Sequence, residues 1–181
     1  MKLIYLVLLV ITLNLNAQSW IDGKCRIENK IPLNDFKSAK KENKLNLIIN
    51  QEEKLTANKT DISFLNNVQR KEFLYNFIMN PDKQDDLAQK PDKAFIRVKS
   101  FGFADAKNQL INQIKDVYFL IWSEAAQEKY GKDYVALDCK SREKIQKKFP
   151  YQVIESNDKD KSDKKPKFSG PPSFNGDVRD N

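Results

Sequence analysis

The sequence predicts an α+β fold in two layers: a small mixed sheet backed by one long helix and one or two shorter ones. Three observations lead there. Phe103 to Tyr130 contains no Gly or Pro, is closed by Gly131, and repeats apolar residues at steps of three and four, the period of a helix face. Lys93 to Lys99 alternates polar and apolar residues, the period of a strand with one buried side. Strand-like and helix-like runs alternate elsewhere too, in a chain whose 181 residues and 40% apolar content suit one folded domain.

The elements follow in order. Leu45-Asn46-Leu47-Ile48-Ile49 is a strand. Asn50 to Glu53 turns, and Lys54-Leu55-Thr56-Ala57 returns as its hairpin partner. Thr60 or Asp61 caps a helix through Leu65, Val68, Phe73, Leu74, Phe77 and Ile78. That helix stops at Asn80-Pro81, because proline cannot continue it. Asp82 to Pro91 is a polar loop. In the next strand Ala94, Ile96 and Val98 point one way, and Lys93, Phe95, Arg97 and Lys99 the other. Ser100-Phe101-Gly102 turns into the long helix. Its stripe is Phe103, Ala106, Leu110, Ile114, Val117, Ile121 and Ala125, widened by Ile111, Tyr118 and Trp122. At 1.5 Å per residue that helix is roughly 40 Å long, so the remaining elements should pack around it. Gly131 ends it. Asp138 caps a short charged helix that runs to Phe149-Pro150, and Tyr151 to Glu155 is a final strand. An interior position is the preferred reading of that strand, with a sheet edge as the alternative.

Domain limits come from shifts in composition. Lys2 followed by the apolar run Leu3–Leu13 and then Ala17 reads as a signal peptide, residues 1–17, cleaved after Ala17. The run is shorter than the ~20 apolar residues a membrane span needs, and an uncleaved inner-membrane anchor is the alternative. Residues 18–43 read as a linker with one strand, 44–157 as the folded domain, and 158–181 as a disordered tail of Asp, Lys, Ser, Pro and Gly. The expected location is the periplasm or the exterior. There Cys25 and Cys139 meet an oxidising environment, as an intrachain disulfide, as two unpaired thiols or in an intermolecular link, since sequence cannot show proximity.

Composition restricts the chemistry. The chain has no His, which removes the commonest general base, the Ser-His and Cys-His pairs, and the usual zinc ligand. No catalytic, metal or cofactor residue is assigned, and no enzyme is expected. Asp82, Asp85, Asp86 and Asp92 share one loop, but their spacing matches no calcium loop and reads as a solvated surface. The net charge of +7 is dispersed among acids, and base-reading aromatics interleaved with Arg are missing, so no nucleic-acid partner is expected. Asn58-Lys59-Thr60 is a glycosylation triplet, relevant only in a eukaryotic host.

Several strings, in order, resemble the periplasmic domain of ExbD/TolR biopolymer-transport proteins in their long, Bacteroidetes-type form. They are Leu45 to Asn50 with Leu55, Phe77-Ile78-Met79-Asn80-Pro81, and Ala94 to Val98. They continue with Val117-Tyr118 in the long helix and Lys129-Tyr130-Gly131-Lys132-Asp133-Tyr134 with Leu137, and end with Ile145, Lys148-Phe149-Pro150 and Ile154-Glu155-Ser156. The resemblance covers residues 45–157, and the Tyr-Gly-Lys turn followed by Phe-Pro and Ile-Glu is its most specific part. It implies an envelope protein that binds a TonB-like or motor-type membrane partner, with homodimerisation as a further expectation. The family's acidic transmembrane helix is missing: Leu3–Leu13 carries no Asp or Glu, so proton flow through this chain is not implied. The expectation is therefore an accessory or divergent partner-binding component of a TonB/Tol-type energy-transducing transport system. Membrane contact is expected only if the N-terminal segment stays uncleaved.

The residues expected to meet the partner are Phe95 and Arg97 on the polar side of the strand, and Tyr151 and Val153 on the final strand. Two other functions stay open. Tyr130, Tyr134 and Tyr151 could form a platform for peptidoglycan or polysaccharide, or anchor the end of the long helix to the core. A secreted enzyme working with carboxylates needs two of them to converge in a pocket.

Overall fold

The computed structural model describes Cys25 and residues 33–156. The expected signal peptide, most of the expected linker and the expected C-terminal tail lie outside the described residues. The element order is α1 (Leu33–Ser38), β1 (Lys44–Ile49), β2 (Leu55–Ala57), β3 (Thr60–Asp61), α2 (Asn67–Met79), β4 (Phe95–Ser100), α3 (Ala104–Tyr130), α4 (Cys139–Lys148) and β5 (Val153–Ser156). The five strands form one mixed sheet in the order β3-β2-β1-β4-β5. β1, β4 and β5 run parallel, while β2 and β3 are antiparallel additions on the β1 side. The fold is the α+β two-layer class.

Alternation builds the sheet. Leu45, Leu47 and Ile49 of β1 are buried and their neighbours only half-buried. The same holds for Ile96, Val98 and Ser100 of β4. Register then aligns the two strands: Leu45 pairs with Ile96 and Leu47 with Val98. One face becomes a continuous apolar surface, and α2 and α3 pack on it. α3 is the centre of that core. Ile114, Val117, Tyr118, Ile121, Trp122 and Ala126 are essentially fully buried. The expected stripe is thus present, with its C-terminal end at Ala126, while Ala125 is only packed against the core.

Both ends of α3 are fixed by local chemistry. Ser100 Oγ donates to the Phe103 carbonyl at 3.0 Å and accepts from the Phe103 N–H at 3.1 Å, which ties β4 to the helix start. Gly102 sits at φ +92° in that turn, where a side chain would be strained. Gly131 ends α3 at φ +61°, its N–H bonded to the Gln127 carbonyl at 3.0 Å.

Three sequence expectations change. The cap of α2 is Asn66, not Thr60 or Asp61. Asn66 Oδ1 accepts from the Val68 and Gln69 N–H groups, and Gln69 Oε1 accepts from the Asn66 N–H, a full capping box. Thr60 and Asp61 instead pair with Ala57 and Thr56 as β3, and Asp61 turns the chain by accepting from the Ser63 N–H at 2.8 Å. In the linker a short helix, α1, stands where no helix is expected, while the rest of the stretch that could hold the expected strand, residues 26–32, lies outside the described residues. The last strand begins at Val153; Tyr151 and Gln152 precede it.

Candidate partner-binding face

The residues that alternate away from the helices share the other face of the sheet. Register places Lys44 beside Phe95, Asn46 beside Arg97, and Ile48 between Thr56 and Lys99. Ile154 lies beside Arg97 on the other side. All are half-buried. The face mixes three cations and an aromatic with aliphatic groups.

Several contacts hold its side chains in place. Arg97 Nε donates to Ser156 Oγ at 3.1 Å, and Ser156 Oγ donates to the Val98 carbonyl at 3.4 Å. The guanidinium is thus anchored across β4 and β5 by one nitrogen, and its terminal nitrogens have no partner among the described residues. Lys99 Nζ lies 4.3 Å from the Phe101 ring centroid, a cation–π contact. Lys44 Nζ lies 6.0 Å from the Phe36 ring, which is buried apart from the main core. Asn58 latches the hairpin: its Oδ1 accepts from the Asn46 N–H at 2.9 Å and its Nδ2 donates to the Lys44 carbonyl at 3.1 Å. That nitrogen is the atom a glycan would need, so the triplet is spent on structure.

The structure separates the four residues expected to meet a partner. Phe95 and Arg97 share the open face of β4. Tyr151 and Val153 do not join them: they are 8% and 4% exposed and belong to the helix-side core. Tyr151 meets Tyr118 edge-on at 5.0 Å, and Val153 pairs with Ile96, whose parity is buried. Neither side chain offers a contact surface. Among the described residues β5 is the outermost strand of the sheet on that side rather than the interior strand preferred from the sequence, yet these two side chains still face the core.

The aromatic platform is not assembled. Tyr134 is buried and stacks on Trp122 at 5.4 Å and 28°, Tyr151 is buried as above, and only Tyr130 is partly buried at the helix end. These rings anchor the α3 terminus to the core, helped by Trp122 Nε1, which donates to the Phe149 carbonyl at 2.8 Å. Burial pushes the Tyr118 and Tyr151 hydroxyls far above the ordinary phenol range, so neither exchanges a proton near neutrality.

The acidic loop is open. Asp82, Asp85, Asp86 and Asp92 are exposed, and among the described residues no three His, Cys, Asp or Glu converge. A cleft of about 340 Å³ lies beside the end of β1 and the start of α3, with Glu53, Ser63 and Arg70 in its wall. Its polar groups are partly engaged: Ser63 Oγ accepts from the Leu55 N–H at 2.8 Å, and Arg70 Nε donates to the Leu65 carbonyl at 2.9 Å. With Glu53 its one acid, the cleft offers no carboxylate pair.

Cys25 and Cys139 form a disulfide with Cα atoms 5.3 Å apart, closing 114 residues of sequence. Among the described residues, no helix is long and apolar enough to cross a membrane. No protein-family profile, curated protein or solved structure matches the chain.

Proposed function

We propose that this domain is a non-enzymatic partner-binding module of the cell envelope, exported to the periplasm or beyond. In this reading it is an accessory or divergent counterpart of the ExbD/TolR periplasmic domain, acting in a TonB/Tol-type energy-transducing transport system. Its partner is an envelope protein, TonB-like or of the motor type. One observation carries the reading. The face of β4 turned away from the helices presents Phe95, Arg97 and Lys99 side by side with Ile48 and Ile154, and Arg97 is held by a single anchored nitrogen. A preorganised guanidinium next to an aromatic and two aliphatic groups suits a protein contact. The disulfide supports export, since such bonds persist in oxidising compartments.

The test is site-specific photocrosslinking in intact cells. A photoreactive residue at position 95 or 99 should crosslink to a TonB-like or motor-type membrane protein, and one at Leu120, exposed on α3, should not. Arg97→Glu should abolish the crosslink from position 95. Equal labelling from all three positions, or an unchanged product with Arg97→Glu, would refute this reading.

A further inference from the structure

A second surface lies on the opposite layer. The C-terminal end of α3 and the outer side of α4 enclose a groove of about 330 Å³. Ile145 and Phe149 form its floor, both buried in the core, and Lys129, Lys144, Lys148 and Glu128 form its walls. The volume falls at the lower end of the range for small-ligand clefts, ~300–1,000 Å³.

The charge in this groove is only partly compensated. The described salt bridges pair Lys40, Lys54, Lys71, Lys107 and Lys147 with carboxylates, and none involves Lys129, Lys144 or Lys148. Glu128 is the one acid in the wall and it too is unpaired, leaving two net positive charges around the groove. Two of the lysines lie against rings instead: Lys129 Nζ is 5.4 Å from the Tyr130 centroid, and Lys148 Nζ is 5.1 Å from that of Phe149. Three lysines around an apolar floor are complementary to a compact anion on an apolar body. Lys147, the neighbour of Lys148, is held by Glu143 at 2.7 Å and is not part of the groove wall.

The chain's covalent path adds a second argument. Cys139 is the first residue of α4, and the disulfide joins it to Cys25. Cys25 lies twelve residues beyond Leu13, the end of the apolar N-terminal run, so this bond ties the groove-bearing helix to the part of the chain that meets a membrane if that run stays uncleaved. Lys144 and Lys148 lie roughly 8 and 14 Å along the helix from that tie.

We propose that the α3–α4 groove is a docking site for anionic phospholipid headgroups, which holds this layer of the domain against a membrane surface while the opposite sheet face stays available. The proposal does not depend on the partner reading and predicts membrane contact even when the N-terminal segment has been removed.

The test is co-sedimentation of the full-length exported chain with vesicles of pure phosphatidylcholine and of phosphatidylcholine with one-third phosphatidylglycerol. Binding should be strong to the anionic vesicles, weak to the neutral ones, and lost at high salt. Each Lys→Gln change at 129, 144 or 148 should weaken binding roughly fivefold, the value of one lysine near an anionic surface. Glu128→Gln should strengthen it, because it removes the one opposing charge. Lys140→Gln, outside the groove, should change it less than any of the three. Equal binding to both vesicle types, a triple Lys→Gln variant that binds like the parent, or a Glu128→Gln variant that binds more weakly would each overturn the proposal. So would competition by millimolar inorganic phosphate, which would make the groove a site for the free anion. Thermal unfolding of each variant separates loss of binding from loss of fold.

Discussion

β4 shows two kinds of residue on one strand. Ile96 and Val98 are wholly buried, while Phe95, Arg97 and Lys99, interleaved with them, stay half-exposed. A step of one residue reverses the environment because the side-chain period of a strand is two. One parity therefore carries the fold and the other is free to carry recognition. The same division runs through β1, where Leu45, Leu47 and Ile49 face α3 while Asn46 and Ile48 do not. Substitutions on the two faces should differ sharply in what they damage.

The largest effect is expected at the centre of the covered side. Trp122 is wholly buried, stacks on Tyr134, and donates to the Phe149 carbonyl. Trp122→Ala leaves a cavity and an unpaired carbonyl, and should cost about 3–5 kcal/mol in denaturant unfolding. Arg97→Ala, on the open side, should cost under about 0.5 kcal/mol and instead remove partner crosslinking. A loss of stability at Arg97 approaching that at Trp122 would break the comparison.

The disulfide comes next. Replacing both Cys25 and Cys139 by Ser should lower stability by about 2–4 kcal/mol, the usual range for such a bond, because it closes a long loop. The circular-dichroism spectrum of the double variant should stay native at moderate temperature, since the core cluster does not include either cysteine.

How much of this was legible depends on whether the signal was local. The α3 stripe, Gly131 as its stop, the β1 and β4 alternations and the Asp138 cap are all written in spacing and residue type, and the structure reproduces them. Asn66 was legible too: Gln69 three positions later is the capping-box mark, but Thr60 and Asp61 are equally good caps and come first. What sequence could not supply was proximity. The pairing of Cys25 with Cys139, the burial of Tyr151 and Val153, and the placing of Lys129 with Lys144 and Lys148 around one groove all join residues that are far apart in the chain or whose direction depends on a neighbour. A place on an edge strand suggests exposure for Tyr151 and Val153. Edge position exposes the backbone side of a strand, and it says nothing about the face its side chains take.

Arg142 offers a smaller and sharper contrast with Arg97. Both are anchored guanidiniums, but Arg142 is buried at 4% exposure. Its Nε donates to the Tyr134 and Leu137 carbonyls at 3.1 Å, and its Nη2 to the Val135 carbonyl at 2.6 Å. It thereby holds the turn before α4 with a fork that lysine cannot reproduce. Arg142→Lys should cost about 2 kcal/mol, while Arg97→Lys should leave stability unchanged. Urea titration of both variants measures the difference. Equal costs would mean that the Arg142 bonds contribute nothing net.

The smallest effect concerns charge at the start of α4. Asp138 Oδ1 accepts from the Ser141 N–H at 2.8 Å and Oδ2 from the Ser141 hydroxyl at 3.1 Å. These bonds hold its carboxyl below the ordinary carboxylate value. A depressed folded-state value means that the carboxylate's contribution is complete above the unfolded value, about pH 4, and is lost as pH falls through the folded value below it. Asp138→Asn keeps an oxygen acceptor at the cap but cannot titrate. The stability gap between parent and Asp138→Asn should therefore be constant above about pH 5 and close as pH drops below about 4. Because the group is fully exposed, salt should shrink the gap at neutral pH. A gap that stayed constant down to about pH 2 would show that the cap works through its acceptor geometry alone, with no share for the charge.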